Sequence, residues 1–278
     1  MTTPFILPQF TDWNATKETL HAYSKVIGVI PRAHAVFHPK WWHISLKIVP
    51  DGLVTDNMPL PGGEVFSLKM NLTAHTILLQ TSQGDAHTWP MTAGLTANEL
   101  AEKIIGSVAD LGLKGEYARQ KFENADPRPY NPTHAETYFS VLVNVKKAFC
   151  QHRTSLPGEV GPIQLWPHGF DLSFEWFGTR YIETEEHGQK STFPSQINLG
   201  FSPGEPSHPA PYFYSNPFPF ETNQLLSYSL PHGARWFTSS WQGSLLEYSL
   251  LAGDRNGLTK LQDYARAVFE IASPGLMA

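Results

Sequence analysis

The sequence predicts an α+β fold in which antiparallel sheets are flanked by helices. Four stretches place apolar residues at helical spacing, and three of them begin at capping signals. Between them lie segments that alternate apolar and polar residues, joined by connections too short for parallel crossovers. The order helix, strands, helix then occurs a second time. We therefore expect two similar halves and an internal duplication.

Two helices are predicted in the first half. The helix over 14–29 has an apolar face at 3, 4, 3 spacing and should end before Pro31, since proline disfavours helical backbone in the residue before it. The helix over 96–111 should begin with a capping box, in which Thr96 and Glu99 each satisfy a backbone N–H.

Alternating patterns predict a meander between these two helices. The expected strands cover 42–48, 66–72, 77–81 and 86–91, with a turn at 83–85.

The third helix is predicted over 132–153. It can be capped by Asn131 followed by Pro132 at the first helical position, or by a capping box of Thr133 and Glu136.

The fourth helix is predicted over 259–273, with Thr259 and Gln262 as its capping box. Expected second-half strands are 170–176, 197–201, 211–214, 235–239 and 244–248, and expected loops are 183–193, 203–209 and 216–220. A polar, proline-bearing linker covers 123–129. It predicts a first half of residues 1–125 and a second of residues 126–278, packed as one compact unit.

Composition excludes several classes of protein. The 278 residues are 13% aromatic and 16% charged, which argues against disorder. The single cysteine, Cys150, excludes a disulfide within the chain and should be a small buried residue of a helix. A net charge of -5 without a basic run disfavours nucleic acid as a partner. We see no signal peptide and no apolar stretch of spanning length, so we expect a cytoplasmic protein with no membrane partner.

Catalytic and cofactor motifs are absent. The sequence has no GxSxG, no GxxxxGK[ST], no HExxH and no CxxC, and we expect no cofactor. His34, His38 and His43 lie close in sequence and leave a metal-dependent enzyme with histidine ligands as one alternative.

Two predicted strands carry polar faces. These faces comprise His43, Ser45 and Lys47 on the first strand, and Asp171, Ser173 and Glu175 on the second. If the halves pack about a twofold axis, His43 could pair with Asp171 for acid–base chemistry, because a carboxylate orients an imidazole and raises its pKa. The alternative is that both faces are simply exposed to solvent.

Further candidates complete this hypothesis. Glu247 interrupts an apolar strand pattern and either faces water or is a buried acid with a raised pKa. Together with His43 and Asp171 it forms the candidate catalytic set. The expected pocket-lining residues are His21, Trp42, His168 and Tyr214.

Several segments in order along the chain carry a family resemblance. They are Thr19-Leu20-His21, Val26-Ile27-Gly28, Trp41-Trp42-His43, Gly52-Leu53-Val54-Thr55, Tyr130-Asn131-Pro132, Phe170-Asp171-Leu172, Gly200-Phe201-Ser202-Pro203-Gly204 and Tyr212-Phe213-Tyr214. With them the chain resembles, from about residue 13 to 272, a family of uncharacterised bacterial proteins of similar length that is classed as a domain of unknown function. The resemblance implies an architecture and no activity. Ser202 and His168 depart from the family pattern.

Three functions follow from these patterns as hypotheses. The first is a binding protein or acid–base enzyme for a small organic ligand, with an aromatic-lined pocket between the halves. The second is a non-enzymatic interaction or scaffold protein that uses its proline-rich aromatic loops. The third is the metal-dependent enzyme. The sequence predicts no particular ligand, reaction or oligomeric state.

Overall fold

The computed structural model describes residues 5–186 and 189–278. It confirms the α+β class, with two antiparallel sheets. The chain divides into two compact units. The N-terminal unit contains Phe10–Leu142 and Gln164–Phe170, and the C-terminal unit contains residues 5–9, Val143–Ile163 and Asp171–Ala278.

Five α-helices occur in the described residues. They are α1 (Asn14–His34), α2 (Ala97–Asp110), α3 (Pro132–Arg153), α4 (Thr222–Leu225) and α5 (Gly257–Ala272). The capping box of Thr96 and Glu99 at the start of α2 is confirmed. At α3 the first of the two predicted caps forms, since the Asn131 side chain accepts from the Thr133 N–H at 2.9 Å.

The predicted end of the first helix and the predicted start of the last helix are wrong. Helix α1 continues through Pro31 to His34, and the Ala35 N–H closes its last turn on the Pro31 carbonyl at 2.9 Å. Proline removes one backbone bond near a helix end without preventing the turn that follows it. Helix α5 begins at Gly257, so Thr259 lies inside the helix and forms no capping box.

The sheet of the N-terminal unit is an antiparallel meander, as predicted. Its strands are β1 (Lys47–Val49), β2 (Gly52–Val54), β3 (Met58–Pro59), β4 (Val65–Asn71), β5 (Thr76–Thr81) and β6 (Ala86–Pro90). The order across the sheet is β1-β2-β4-β5-β6, and β3 also pairs with β4. A short strand, β8 (Gln164–Trp166), follows β7 (Glu159–Val160) in the chain, and within this unit Leu165 pairs with Leu46.

The sheet of the C-terminal unit is built around a long hairpin. Its strands are β9 (Asp171–Glu186), β10 (Gln189–Ser202), β11 (Tyr212–Phe218), β12 (Arg235–Phe237) and β13 (Gly243–Glu247), with β7 at one edge. The order is β12-β13-β11-β10-β9-β7. This order differs from that of the other sheet, and the duplication stays a prediction.

Three segment assignments need correction. Residues 42–48 do not form one strand, because Trp42–Ile44 is a 3-10 turn and β1 starts only at Lys47. The region 183–193 is not a loop, since its described residues extend β9 and β10, and residues 187–188 lie outside the described part. Within 216–220, the first three residues belong to β11.

Two further predictions concern the burial of Cys150 and the presence of a membrane-spanning helix. The thiol of Cys150 is exposed, so the expectation of a buried cysteine is wrong. Within the described residues, no helix combines the length and apolarity that a membrane crossing requires.

Candidate functional site

One stripe of helix α1 carries side chains that line a cleft of the N-terminal unit. His21, Lys25 and Arg32 follow one another at spacings of four and seven residues, which places them on the same face of an α-helix. The opposite face of α1 is buried, with Leu20, Tyr23 and Ile27 at most 1% exposed. Burial of that face fixes the helix rotation and presents the polar stripe to the cleft.

Two other segments of the N-terminal unit complete the walls. The 3-10 turn Arg119–Lys121 supplies Lys121, and the turn after β8 supplies Pro167 and His168. Ser24 on α1 donates to the Pro167 carbonyl at 3.1 Å. A Cβ at Gly28 would lie 2.7 Å from Pro167, so glycine permits this close approach of helix and turn.

The cleft has two neighbouring parts that share Lys25 and Lys121. The smaller part contains about 280 Å³ of empty space including its open side, and its lining also includes Gly28, Val29, Arg32, Ile44, Pro167 and His168. The larger part contains about 880 Å³ measured in the same way, and its lining also includes Glu18, His21, Ala22, Ala97, Gln120, Phe122, Glu123, Asn124, Asp126 and Arg128. Both figures include space that is open to solvent, and the larger part alone falls within the size range of small-molecule sites.

Three cations meet in the smaller part without a counter-ion. Lys25, Arg32 and Lys121 form no ion pair with any residue that the structure describes. Burial lowers the pKa of Lys121, and the charges of Arg32 and Lys25 lower it further. Burial likewise lowers the pKa of Lys25, where Glu18 opposes and Arg128 adds to the effect. The electrostatics of this part therefore favour an anion.

Acidic residues are confined to the larger part of the cleft. Glu18, Glu123 and Asp126 line it. Glu18 is paired with Lys17 at 3.3 Å, and Asp126 accepts from the Asn124 amide at 2.9 Å. The cleft thus has a cationic part and a part of mixed charge.

His21 presents a neutral imidazole to the cleft. Its Nε2 lies 2.8 Å from the His168 carbonyl oxygen, so Nε2 carries the proton and Nδ1 is the acceptor. Burial lowers the pKa of His21 to about 4; the hydrogen bond to His168 opposes this effect, and Lys25 adds to it. The ring stacks on Phe170 with centroids 5.7 Å apart. Two residues predicted to line a pocket, His21 and His168, are therefore in direct contact.

His43 and Trp42 lie in the 3-10 turn after α1. The Nδ1 of His43 accepts from the His38 N–H at 3.1 Å, and the residue is 6% exposed. Burial lowers the pKa of His43, and the charges of Arg32 and His38 lower it further. Trp42 stacks on His38 at 4.5 Å. Neither residue lines the cleft described above.

The polar face predicted for the first strand does not form as a strand face. Ser45 is fully buried and donates to the Gln164 side-chain oxygen at 2.6 Å. Lys47 donates to the same oxygen at 3.1 Å and pairs with Asp56 at 3.4 Å. These groups form an internal polar network of the N-terminal unit.

The histidines proposed as metal ligands have other partners. His34 is 2.8 Å from the Tyr117 hydroxyl, and His38 accepts from the Lys40 N–H at 3.1 Å. Across residues 5–186 and 189–278, no three His, Cys, Asp or Glu side chains are placed to hold a metal ion.

Asp171 and Tyr214 meet in the C-terminal unit. Strand β9 places Asp171, Ser173 and Glu175 on one face, as predicted. The Tyr214 hydroxyl donates to Asp171 across Gly200, where a Cβ would overlap the tyrosine ring. Burial raises the pKa of Tyr214 well above its usual value, and the charge of Asp171 raises it further.

Glu247 belongs to a separate ion-pair group of the same sheet. His208 donates to it at 3.0 Å and Arg235 at 3.1 Å, and its side chain is 24% exposed. Strands β11 and β10 lie between Glu247 on β13 and Asp171 on β9, which puts the two carboxylates out of hydrogen-bonding range. The predicted pairing of His43 with Asp171 stays a prediction.

An α+β protein with a partly cationic cleft is the class that this fold and site define. The chain belongs to the family of unknown function DUF5996, whose model matches residues 7–275. Membership over nearly the whole chain confirms the family resemblance. No curated protein and no solved structure matches the chain.

Sequence reasoning missed Arg32 and Lys121. A signal for the first was present, because residues 19–50 contain four of the 20 Lys and Arg residues and none of the 25 Asp and Glu residues. Such a stretch in a chain of net charge -5 indicates a local anion-attracting surface. Lys121 carries no comparable signal, since only the tertiary fold brings it to α1.

Proposed function

We propose that the protein binds a small organic anion in the cleft of the N-terminal unit. Lys25, Arg32 and Lys121 would hold its anionic group, and the body of the ligand would occupy the larger part of the cleft. The observation that carries this proposal is that three cations line one depression and form no ion pair within residues 5–186 and 189–278. Their mutual repulsion is relieved when an anion binds.

The chemistry of His21 favours binding over catalysis at this cleft. With a pKa of about 4 its imidazole is neutral at physiological pH and accepts a hydrogen bond at Nδ1. A general base works best when its pKa lies near the operating pH, which this environment opposes. We therefore assign His21 the role of orienting a ligand donor. The scaffold function based on the proline-rich loops remains the alternative.

Four general properties of the protein are also part of this proposal. We propose a cytoplasmic location. The single cysteine, Cys150, is exposed and unable to form a disulfide within the chain, which fits a reducing compartment. We also propose a bacterial origin, which the family resemblance alone supports. The duplication is supported by the order helix, sheet, helix in both halves of the chain. The expected absence of nucleic acid partners rests on the net charge.

Ligand binding can be tested with inorganic phosphate as the probe. Phosphate should raise the melting temperature of the wild-type protein more than sodium chloride does at the same ionic strength. Lys25→Gln and Lys121→Gln should each reduce this difference strongly. Lys147→Gln removes an exposed lysine of the C-terminal unit and should leave it unchanged.

Calorimetric titration with phosphate supplies the second measurement. A saturable signal in the wild-type protein that is lost in both cleft variants supports the proposal. Equal phosphate effects in all four proteins, or none beyond those of sodium chloride, would overturn it.

A further inference from the structure

A short loop after α1 exposes apolar side chains to solvent. We call residues 35–42, between α1 and the turn at Trp42, the aromatic loop. Val36 is 77% exposed, Phe37 is 64% exposed and Trp41 is 45% exposed. Scattered exposed apolar residues are normal in proteins, but three within six positions form a patch that indicates an interaction surface.

Local contacts hold this patch in place. The Phe37 and Trp41 rings meet edge to face at 5.6 Å, and the Trp41 ring stacks on His43 at 5.5 Å. The Trp41 N–H donates to the His38 carbonyl at 2.8 Å. Trp41 also adopts a φ of 59°, a left-handed conformation that is uncommon for a bulky residue and is retained where the surroundings enforce it. The exposure of the rings is therefore a built feature of the loop.

Two basic groups lie beside the patch. Arg32 lies over the Trp41 ring at 5.0 Å from its centre, and Lys40 lies over the Trp42 ring at 5.4 Å. The stretch 19–50 around them contains no acidic residue. The patch thus combines apolar tips with positive charge, which complements a negatively charged surface that has an apolar interior.

We propose that the aromatic loop docks on a membrane surface containing anionic lipids, with Val36 and Phe37 inserted among the headgroups. Aromatic side chains and cations are the usual anchors at the interface between lipid and water, and the two signals together give reversible binding. A protein partner is a poorer match, because a stable protein interface uses about 20–30 residues on each side. The proposal does not depend on the function of the cleft.

Surface docking is compatible with the absence of an apolar stretch of spanning length. The expectation of no membrane partner was based on the absence of a membrane-spanning apolar segment. A loop that inserts a few side chains among the headgroups does not need such a segment. Binding should be reversible and should weaken as salt is added, because lipid charges attract Arg32 and Lys40 within about one Debye length.

Vesicle sedimentation tests the proposal. Wild-type protein should bind vesicles of phosphatidylcholine with phosphatidylserine, and bind pure phosphatidylcholine vesicles much less. Phe37→Ser should weaken binding about 10-fold, since burial of one phenylalanine contributes roughly that factor or more. Val36→Ser should weaken it less. Tyr181→Ser, at an equally exposed aromatic residue on β9, should bind like the wild type.

Three outcomes would overturn this proposal. One is no binding to the anionic vesicles. Another is equal binding by wild type and Phe37→Ser, with melting temperatures showing that both are folded. The third is a dimer in analytical ultracentrifugation that Phe37→Ser dissociates while vesicles bind neither protein, which would assign the loop to a second copy of the chain. Lys25→Gln alters the cleft and leaves the aromatic loop unchanged. Phosphate binding and vesicle binding therefore test the two proposals separately.

Discussion

The guanidinium carbon of Arg32 lies 5.0 Å from the centre of the Trp41 ring. Arg32 lines the cationic part of the cleft, and Trp41 belongs to the exposed aromatic loop. One cation–π contact therefore joins the two surfaces to which we assign ligands. Variants of Phe37 or Lys25 address one surface each, whereas variants of Arg32 or Trp41 address both.

Trp41→Leu should lower the affinity for phosphate about 2–5-fold, although Trp41 does not line the cleft. The ring holds the Arg32 guanidinium by an interaction of about 0.5–1 kcal/mol at a partly exposed site, and its loss lets the side chain move away from the anion. Calorimetric titration of the wild type and the variant measures the difference. Phe37→Leu serves as the control, and an unchanged affinity in Trp41→Leu would show that Arg32 needs no support from the ring.

Lys121→Gln should stabilise the protein when no anion is bound. Removing one of three mutually repelling cations relieves about 0.5 kcal/mol at low ionic strength and less in salt, because the group is largely exposed. Urea unfolding at low and high sodium chloride measures both quantities. Lys147→Gln should show no comparable gain. A loss of stability in Lys121→Gln that salt does not alter would contradict the repulsion argument.

His21 should make the protein less stable as the pH falls from about 6.5 to 4. Its pKa is about 4 in the folded state and near 6.5 when unfolded, so in this window the unfolded chain binds a proton that the folded chain does not. The stability lost is at most about 3 kcal/mol. This contribution of His21 to stability is complete above the pKa of the unfolded state and is lost as the pH falls toward the folded-state pKa.

Urea unfolding of His21→Gln at several pH values checks this assignment. The variant should lose less stability between pH 7 and pH 4.5 than the wild type. His152 in the C-terminal unit also has a pKa lowered to about 4 by burial, and it remains in both proteins. Identical pH profiles would show that His21 is accessible to protons in the folded state.

Gly200→Ala should destabilise the protein by about 2 kcal/mol. The added methyl group would overlap the Tyr214 ring and displace its hydroxyl from Asp171. In a Tyr214→Leu background the same change should cost at least about 1 kcal/mol less, since the overlapping atoms are gone. A double-mutant cycle by urea unfolding gives the coupling. Additive effects would mean that the strand shifts to accept the methyl group.

Local signals made much of the fold predictable. The Thr96–Glu99 capping box and the Asn131–Pro132 pair act within one turn, so they define the starts of α2 and α3 without tertiary information. The alternating pattern of β4 and β5 likewise reflects one buried face. Such features are set by neighbours in the sequence.

The secondary-structure predictions were wrong where contacts between distant residues outweighed the local sequence pattern. Residues 42–48 alternate like a strand, but Ser45 is drawn into a buried hydrogen bond with Gln164, 119 positions away. Polar residues over 183–193 resembled a loop, yet those that the structure describes pair as the outer part of a long hairpin. Pairing of that kind has no signature in hydrophobic periodicity.

The candidate cleft was only partly predictable. His21 and His168 were singled out, but their contact runs through the backbone oxygen of His168, which no side-chain pattern reports. Lys121 is 96 positions from Lys25, and no charge pattern links them. The acid-free stretch 19–50 was the one sequence signal for the cationic part.

The passage of α1 through Pro31 has a dynamic consequence. Proline has no N–H, so one rung of the backbone ladder is missing just before the turn that carries Arg32. That final turn should open locally at a lower free energy than the buried middle of the helix. Its amides should exchange hydrogen faster than those in the middle of α1, and a bound anion that engages Arg32 should slow them. Hydrogen exchange in the last turn of the helix would then report whether the cleft is occupied.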